Sequence, residues 1–477
     1  MLCDRCMRIR FDRGTLVLDQ QIVDGAVWDQ GLAAWRVPAA RLSEVRARIA
    51  DRGVRESAVS DTVTPESLAD GWKLPELRWY QKAALSAWRD AGDRGVIALP
   101  TGTGKTLTAL GAICALGVAT LVLVPTRVLL DQWARAIGEA WSFPVGRLGD
   151  GDHQVAPITV STYASAVEWA PRIGDRFGLV VVDEAHHVGG WCPAEVLEML
   201  VAPARLGLTA TPPDDALAVT RALGPVVYEL GVAELVGDAL AAYDLETVPI
   251  WLDPEEREVY REARGRFNAA YARFQRYAPR STWRQFVEHA MKSIEGRAAM
   301  AAWRASRSVL AFPAAKREAV RRLLARHEGE RVLIFTANNA TAYEIALEFL
   351  VVPMTCDVGR AERAEMLCRF RAGEAPVLVS SQVLDEGLDV PEADVAIIVG
   401  GTASARRHVQ RIGRVLRPRL GKRARVYELE TQASAEVTTV EKRRRGLRGR
   451  REMEIEVDLM EPMDPSVMES SEIEVRS

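Results

Sequence analysis

The sequence predicts an α/β protein: two parallel-sheet domains in tandem, a long helical insertion, and a small α+β module ahead of them. Three observations carry this. From Leu74 onward, short β-rich runs recur at Gly95–Leu99, Ala119–Val124, Pro157–Ser161, Leu179–Val182 and Leu206–Thr209, with helical stretches between them. Strands alternating with helices build a parallel sheet covered on its faces. A second series, Arg331–Phe335, Pro376–Val379, Val395–Val399 and Ala424–Leu429, repeats the pattern. Between them, residues 255–312 break it, being helical in period and rich in Arg, Ala and aromatics (Phe267, Tyr271, Phe274, Trp283, Phe286, Trp303). That insertion reads as a helical hairpin with a packed aromatic seam, and equally as an arm that grips nucleic acid through Arg contacts and stacking; one face can pack while the other binds.

The flanks are shorter on signal. Thr15–Leu18, Ala26–Trp28 and Leu32–Val37 read as strands and Ala39–Ile49 as a helix, followed by an acid- and Thr-rich linker at Ser60–Asp70. After Thr431 order is expected to fade into a basic run, Lys442–Arg451, and then an acidic tail that can shield it when no nucleic acid is bound. The expected domains are therefore 1–70, 71–240, 241–440 with the insertion at about 255–312, and a tail at 441–477.

Composition excludes several classes. A chain of 477 residues exceeds a single core, and its 48% hydrophobic and 27% charged content are those of a globular protein. No apolar run reaches the roughly 18 residues of a membrane span. Met1–Arg13 is charged and carries no apolar signal region, so the expected location is cytoplasmic. Six scattered cysteines suit a reducing compartment. Cys3 and Cys6 form one CxxC without the second pair that a structural zinc wants; alternatively Met7 is the true start. The net charge of −3 is unevenly placed: Met453–Ser477 holds eight acids and one Arg, so the rest of the chain is positive.

The strongest motif is Leu99-Pro-Thr-Gly-Thr-Gly-Lys-Thr106, directly after a strand. Thr101, Gly102, Thr103 and Gly104 form a loop whose backbone N–H groups turn inward around phosphate. Lys105 supplies charge to the β- and γ-phosphates of ATP and Thr106 a hydroxyl for Mg²⁺. Leu99 stands where the strict P-loop pattern has Gly. Next comes Val180-Val-Val-Asp-Glu-Ala-His186, an apolar strand ending in two carboxylates. Asp183 is placed to hold the Mg²⁺ shell, Glu184 to polarise the attacking water, and His186 to couple this loop to its neighbours, with His187 structural. Without the P-loop the same residues would read as a helix start favoured by the dipole. In the second domain, Gln410-Arg-Ile-Gly-Arg-Val-Leu-Arg417 sets Arg414 and Arg417 on one helix face. They read as a solvated face or as arginine fingers toward the γ-phosphate.

The ordered set resembles superfamily 2 helicases of the DEAH type: Leu77–Gln81, the P-loop, Val124–Arg127, Val160–Tyr163, Asp183–His186, Leu208–Thr211, Leu333–Thr336, Val383–Pro391 and Gln410–Arg417, in that order over about 77–430. Within it the chain is most similar to the XPB family, on Thr341–Glu344 through Phe349–Pro353, Glu362-Arg363, Phe370, Val383–Pro391 and Val415-Leu416. Trp28-Asp29 and Trp35–Ala39 resemble that family's damage-recognition-like module.

The resemblance implies two tandem RecA-like domains with a thumb-like insertion. It implies that Arg78 and Gln81 read adenine, and that Gly387 and Asp389 sit at the nucleotide. Gln410, Arg414 and Arg417 belong to the catalytic set. Thr126, Arg127, Ser161, Thr162, Thr336 and Ser380 touch nucleic acid, while Thr209 and Thr211 transmit the state of the cleft. The implied activity is a 3′-to-5′ DNA helicase or translocase in repair, acting as a monomer on duplex or single-stranded DNA, with a nuclease as a candidate partner. Where the family carries Arg-Glu-Asp, this chain reads Pro212-Pro-Asp-Asp215. This keeps open an ATP-gated duplex clamp assisting a nuclease in repair or phage defence, and an RNA-dependent ATPase also remains open.

Overall fold

The computed structural model describes residues 6–51, 55–57, 68, 70–210, 216–235, 242–381, 393–401 and 423–444. They fall into two compact units, one within residues 6–230 and the other within residues 231–444.

The first unit opens with a five-stranded sheet in the order Val27–Asp29, Ala34–Pro38, Thr15–Leu18, Cys6–Asp12, Arg55–Ser57. The helix Leu42–Asp51 buries Leu42, Val45 and Ile49, a one-sided spacing, against Met7, Ile9, Leu16 and Val37. Arg36 ties two strands by pairing with both Asp12 and Asp29. The strand Cys6–Asp12 is not among the strands expected from sequence; its alternation mixes Arg with apolar residues and is too short to stand out.

The larger sheet has eight strands, in the order Val226–Glu229, Arg94–Ala98, Ala204–Thr209, Leu179–Asp183, Thr120–Val124, Ile158–Thr162, Gly146–Gly149, Asp152–Gln154. All neighbours are parallel except the last hairpin. The central strands are buried along their whole length, which is why they read as continuous apolar runs rather than alternating ones. The hairpin was not anticipated: its strands are short and polar, and its only mark is the turn Gly149-Asp150-Gly151, all three at positive φ. The strand Val226–Glu229 was missed as well.

The second unit holds a six-stranded, all-parallel sheet: Ala242–Ile250, Arg423–Thr431, Val395–Ile398, Val332–Phe335, Val377–Ser380, Val352–Met354. Its core gathers Val332, Ile334, Val379, Val395 and Ile397 with Val320 and Leu323 of the helix Ala314–Arg326 and Ala342 and Ile345 of the helix Asn339–Phe349. The arm is three helices, Pro254–Tyr277, Trp283–Ala290 and Ile294–Ala311, capped by Asp253, Thr282 and Ser293. Phe267, Phe274, Phe286 and Met300 pack with Tyr271 and Trp303 into its own small core.

Order does not stop at Thr431. A helix runs over Ala435–Arg444, so the first three residues of the basic run are helical. The sequence reading missed this because the helix is held by buried charges rather than by an apolar stripe. Lys316 Nζ, fully buried, reaches Glu436 Oε2 at 2.8 Å, the Val399 carbonyl at 2.7 Å and the Leu310 carbonyl at 2.9 Å. Glu428, also fully buried, pairs with Arg443 and Arg444. Among the described residues, no helix is long and apolar enough to cross a membrane.

Candidate active site

In open α/β sheets, ligands gather beyond the carboxyl ends of the strands. That edge of the eight-stranded sheet carries five of the motifs. Leu99–Lys105 follows one strand, Asp183–His187 a second, Thr209 ends a third, and Thr126 and Thr162 stand just past or at the end of two more.

The loop after Arg94–Ala98 bends back through Gly102 and Gly104, at φ of 89° and 80°, where an L side chain is disfavoured. Gly104 is the N-cap of the helix Lys105–Leu116, leaving that helix's first N–H groups facing the loop. Thr103 is buried and donates from Oγ1 to the Pro100 carbonyl at 2.7 Å, which closes the loop on itself. Thr101 and Thr106 are half-buried, and Lys105 Nζ donates to the Leu99 carbonyl at 3.1 Å. This is a phosphate-sized cradle of backbone donors with a lysine at its mouth.

Gln81, which the resemblance assigns to adenine, lies against the phosphate loop. It is buried, and its Nε2 donates to the carbonyls of Thr103 at 2.9 Å and Gly104 at 3.3 Å, while its Oε1 accepts from Arg78 N at 2.9 Å. Both ends of the amide are engaged, and it braces the phosphate loop against the helix Trp79–Asp90. Tyr80 adds a hydroxyl bond to Thr103 O at 2.7 Å. The Arg78 side chain is exposed.

Asp183 ends its strand almost fully buried. Its Oδ2 accepts from Trp133 Nε1 at 2.8 Å and its Oδ1 from Glu184 N at 3.0 Å. Burial pushes its carboxyl pKa upward, against the Trp133 bond and the Lys105 charge, which favour the anion. A carboxylate so placed is stabilised by a cation, and the oxygen donors of Asp183 and Thr106 are of the kind that suits Mg²⁺. Glu184 sits in the left-handed region at φ 52°, an uncommon place for a non-glycine residue at the end of a strand. The Tyr163 hydroxyl donates to the Asp183 carbonyl, locking the turn. The His186 ring is buried, with Nδ1 3.2 Å from Thr209 Oγ1 and 3.5 Å from Glu184 Oε2. Thr209 in turn accepts at its carbonyl from Leu99 N at 2.9 Å. Glu184, His186, Thr209 and the phosphate loop are thus one continuous chain of contacts. His187 stacks on Trp191 at 4.8 Å, as a packing residue does.

The residues expected to touch nucleic acid divide. Arg127 is exposed and paired with Asp150 of the hairpin turn at 2.8 Å. Thr126 and Thr162 accept from Leu129 N and Ser165 N, capping the helices Arg127–Ala140 and Tyr163–Ile173. Ser161, Thr336 and Ser380 are wholly buried; Ser161 Oγ donates to Thr162 O and Thr336 Oγ1 to Asn338 O. Thr211, Gly387, Asp389, Gln410, Arg414 and Arg417 lie outside the described residues, as do Cys3 and Pro212–Asp215. Two residues were missed. Trp133 carries no sequence mark beyond its place on the apolar face of its helix, and Tyr163 belongs to a quoted motif but had been given no role.

Two family models match the chain: "Type III restriction enzyme, res subunit" over residues 74–214 and "Helicase conserved C-terminal domain" over 315–419. The chain is 34% identical over 441 residues to the DNA 3′-5′ translocase XPB2 of Sulfurisphaera tokodaii, covering 91% of this chain and 99% of that one. The chain belongs to the XPB family of superfamily 2 helicases. A further relative, the putative DNA 3′-5′ helicase Rad25 of Halobacterium salinarum, is 29% identical over 447 residues; the match covers 90% of this XPB-family chain but only 66% of that relative's length. The solved structure of S. cerevisiae Dbp5 bound to RNA and ADP BeF3 aligns with a TM-score of 0.51 at 17% identity, over 77% of this chain and 87% of that one, which marks a shared fold. The two parallel sheets are accordingly RecA-like.

Proposed function

We propose that this XPB-family chain is an ATP-driven DNA translocase and helicase with 3′-to-5′ polarity, using the phosphate loop at Thr101–Thr106, Mg²⁺ held at Thr106 and Asp183, and water activation by Glu184. The observation that carries the reading is the linked set Lys105, Asp183, Glu184, His186 and Thr209 at the carboxyl edge of one parallel sheet. Lys105 and the N–H groups at the start of its helix hold phosphate charge. Asp183, whose anion the Trp133 bond favours against burial, would hold the metal, and Mg²⁺ when bound supplies charge neutralisation of the phosphates. Glu184, with His186 beside it, orients and polarises water. On the family pattern Gly387, Asp389, Gln410, Arg414 and Arg417 also belong to the nucleotide-binding and catalytic set.

DNA as the track is supported by the names of the relatives and by Arg127, exposed on the same edge as the nucleotide set. Its setting in repair and a nuclease partner rest on family likeness. The test is ATP turnover with duplex DNA, single-stranded DNA and RNA side by side. Stimulation by either DNA above RNA is expected; stimulation by RNA alone would move the chain to the RNA-dependent class.

A further inference from the structure

The second unit contains a cavity of about 1030 Å³ between the arm helix Ile294–Ala311, the loops that follow two sheet strands at Asn338 and Gly400, and the helix Ala435–Arg444. Four basic side chains line it: Arg264, Arg304, Arg307 and Lys442. Among the described residues, none of the four is ion-paired. On the same arm Arg261, Arg266 and Arg284 each do pair with a glutamate within one turn. The two carboxylates on the cavity wall are both already neutralised, Glu344 by Arg317 and Glu436 by Lys316. The wall therefore presents a concentration of uncompensated positive charge, with the Arg307 guanidinium lying over the Trp303 ring at 5.1 Å. Such a wall is built for a polyanion.

The chain itself carries one. Met453–Ser477 holds eight acids against a single Arg, and in two places the acids alternate with apolar residues in the same order, Glu454-Ile-Glu-Val457 and Glu472-Ile-Glu-Val475. This segment begins nine residues after Arg444, the last residue of the helix that lines the cavity. Lys442 lines the cavity, and the helix bearing it is anchored through Arg443 and Arg444 to Glu428. From Arg444 to Met453 the chain spans at most about 30 Å, so the acids are tethered near the cavity at an effective concentration on the order of millimolar.

We propose that the acidic segment 453–477 occupies this basic cavity and competes there with the phosphate backbone of DNA, so that the chain carries its own polyanion as a brake on DNA binding. The inference rests on the reading of the chain as a DNA motor. Alternating carboxylates meet Arg304, Arg307, Arg264 and Lys442, and the intervening Ile and Val meet the Trp303 side of the wall. Because Arg304, Arg307 and Lys442 are exposed to solvent ions, the brake weakens as salt rises.

The experiment compares the full chain with one ending at Glu452, and adds a fluorescent peptide of residues 453–477. At roughly 50 mM salt the shortened chain is expected to bind duplex DNA about tenfold more tightly than the full chain, with the gap closing near 300 mM. The peptide should bind the shortened chain and be displaced by DNA, and R304E/R307E should abolish peptide binding; both side chains are exposed, and a thermal melt checks that the variant folds. Equal DNA affinity of the two chains, or peptide binding undiminished by R304E/R307E, overturns the proposal; the second result would put the acids on the basic run at 445–451 instead. Should neither chain bind DNA while the peptide still enters the cavity, the DNA reading fails and the intramolecular contact stands.

Discussion

Trp133 Nε1 donates to Asp183 Oδ2 over 2.8 Å, joining the middle of the helix Arg127–Ala140 to the end of the strand Leu179–Asp183. The bond fixes the carboxylate in place and favours its anion against the burial that opposes it. Burial raises the Asp183 pKa and this bond lowers it, so Trp133→Phe is expected to raise it further. Since Asp183 is required as the anion, the acidic limb of the pH profile of kcat/KM for ATP should move to higher pH. A buried acceptor losing its donor should also lower stability by about 1–3 kcal/mol. An unshifted acidic limb would leave Trp133 as packing alone.

Lys105 and Glu184 stand on opposite sides of one chemical step, phosphate grip and water activation. Lys105→Ala and Glu184→Gln are both expected to abolish turnover, the second by about 10²–10⁴-fold, the range of a lost general base. Only Glu184→Gln should retain ATP binding, read by a fluorescent nucleotide. Equal loss of binding in both would contradict the division of labour.

His186 links Glu184 to Thr209, and Thr209 reaches the phosphate loop through Leu99. His186→Ala should lower the ratio of DNA-stimulated to basal ATP turnover by about 2- to 30-fold, the span of a coupling of roughly 0.5–2 kcal/mol. A matched fall of both rates would assign His186 to the turnover step itself.

The legible parts of this protein are those where one physical demand controls a short stretch of chain. Thr120–Val124 and Leu179–Asp183 are buried throughout, so their residues had to be apolar, and the glycines at 102 and 104 were marked by the left-handed turns they make. What stayed hidden depends on partners distant in sequence. Gln81 bonds backbone 22 residues away, Trp133 reaches Asp183 across 50, and Lys316 finds Glu436 across 120. Ser161 and Thr336 show the same limit from the other side: a motif names the residue, but only the structure shows that its hydroxyl already bonds a neighbouring carbonyl.

Lys316 is the residue on which the C-terminal helix depends. Lys316→Met leaves Glu436 buried without its cation and is expected to destabilise the second unit by about 3–5 kcal/mol, read by urea unfolding. Pairing it with Glu436→Leu should recover part of that loss, because an apolar pair replaces an ion pair. No recovery would mean that the Lys316 bonds to Val399 and Leu310, rather than the ion pair, hold this corner.

The central claim is that splitting ATP at the Lys105, Asp183 and Glu184 set drives the chain along DNA. Displacement of a third strand from a DNA triplex measures that motion without requiring the duplex to open. The account predicts displacement by the wild-type chain with ATP and Mg²⁺, and none by Glu184→Gln under the same conditions. Displacement by Glu184→Gln at the wild-type rate, or ATP turnover by the wild type with the third strand left in place, would contradict it.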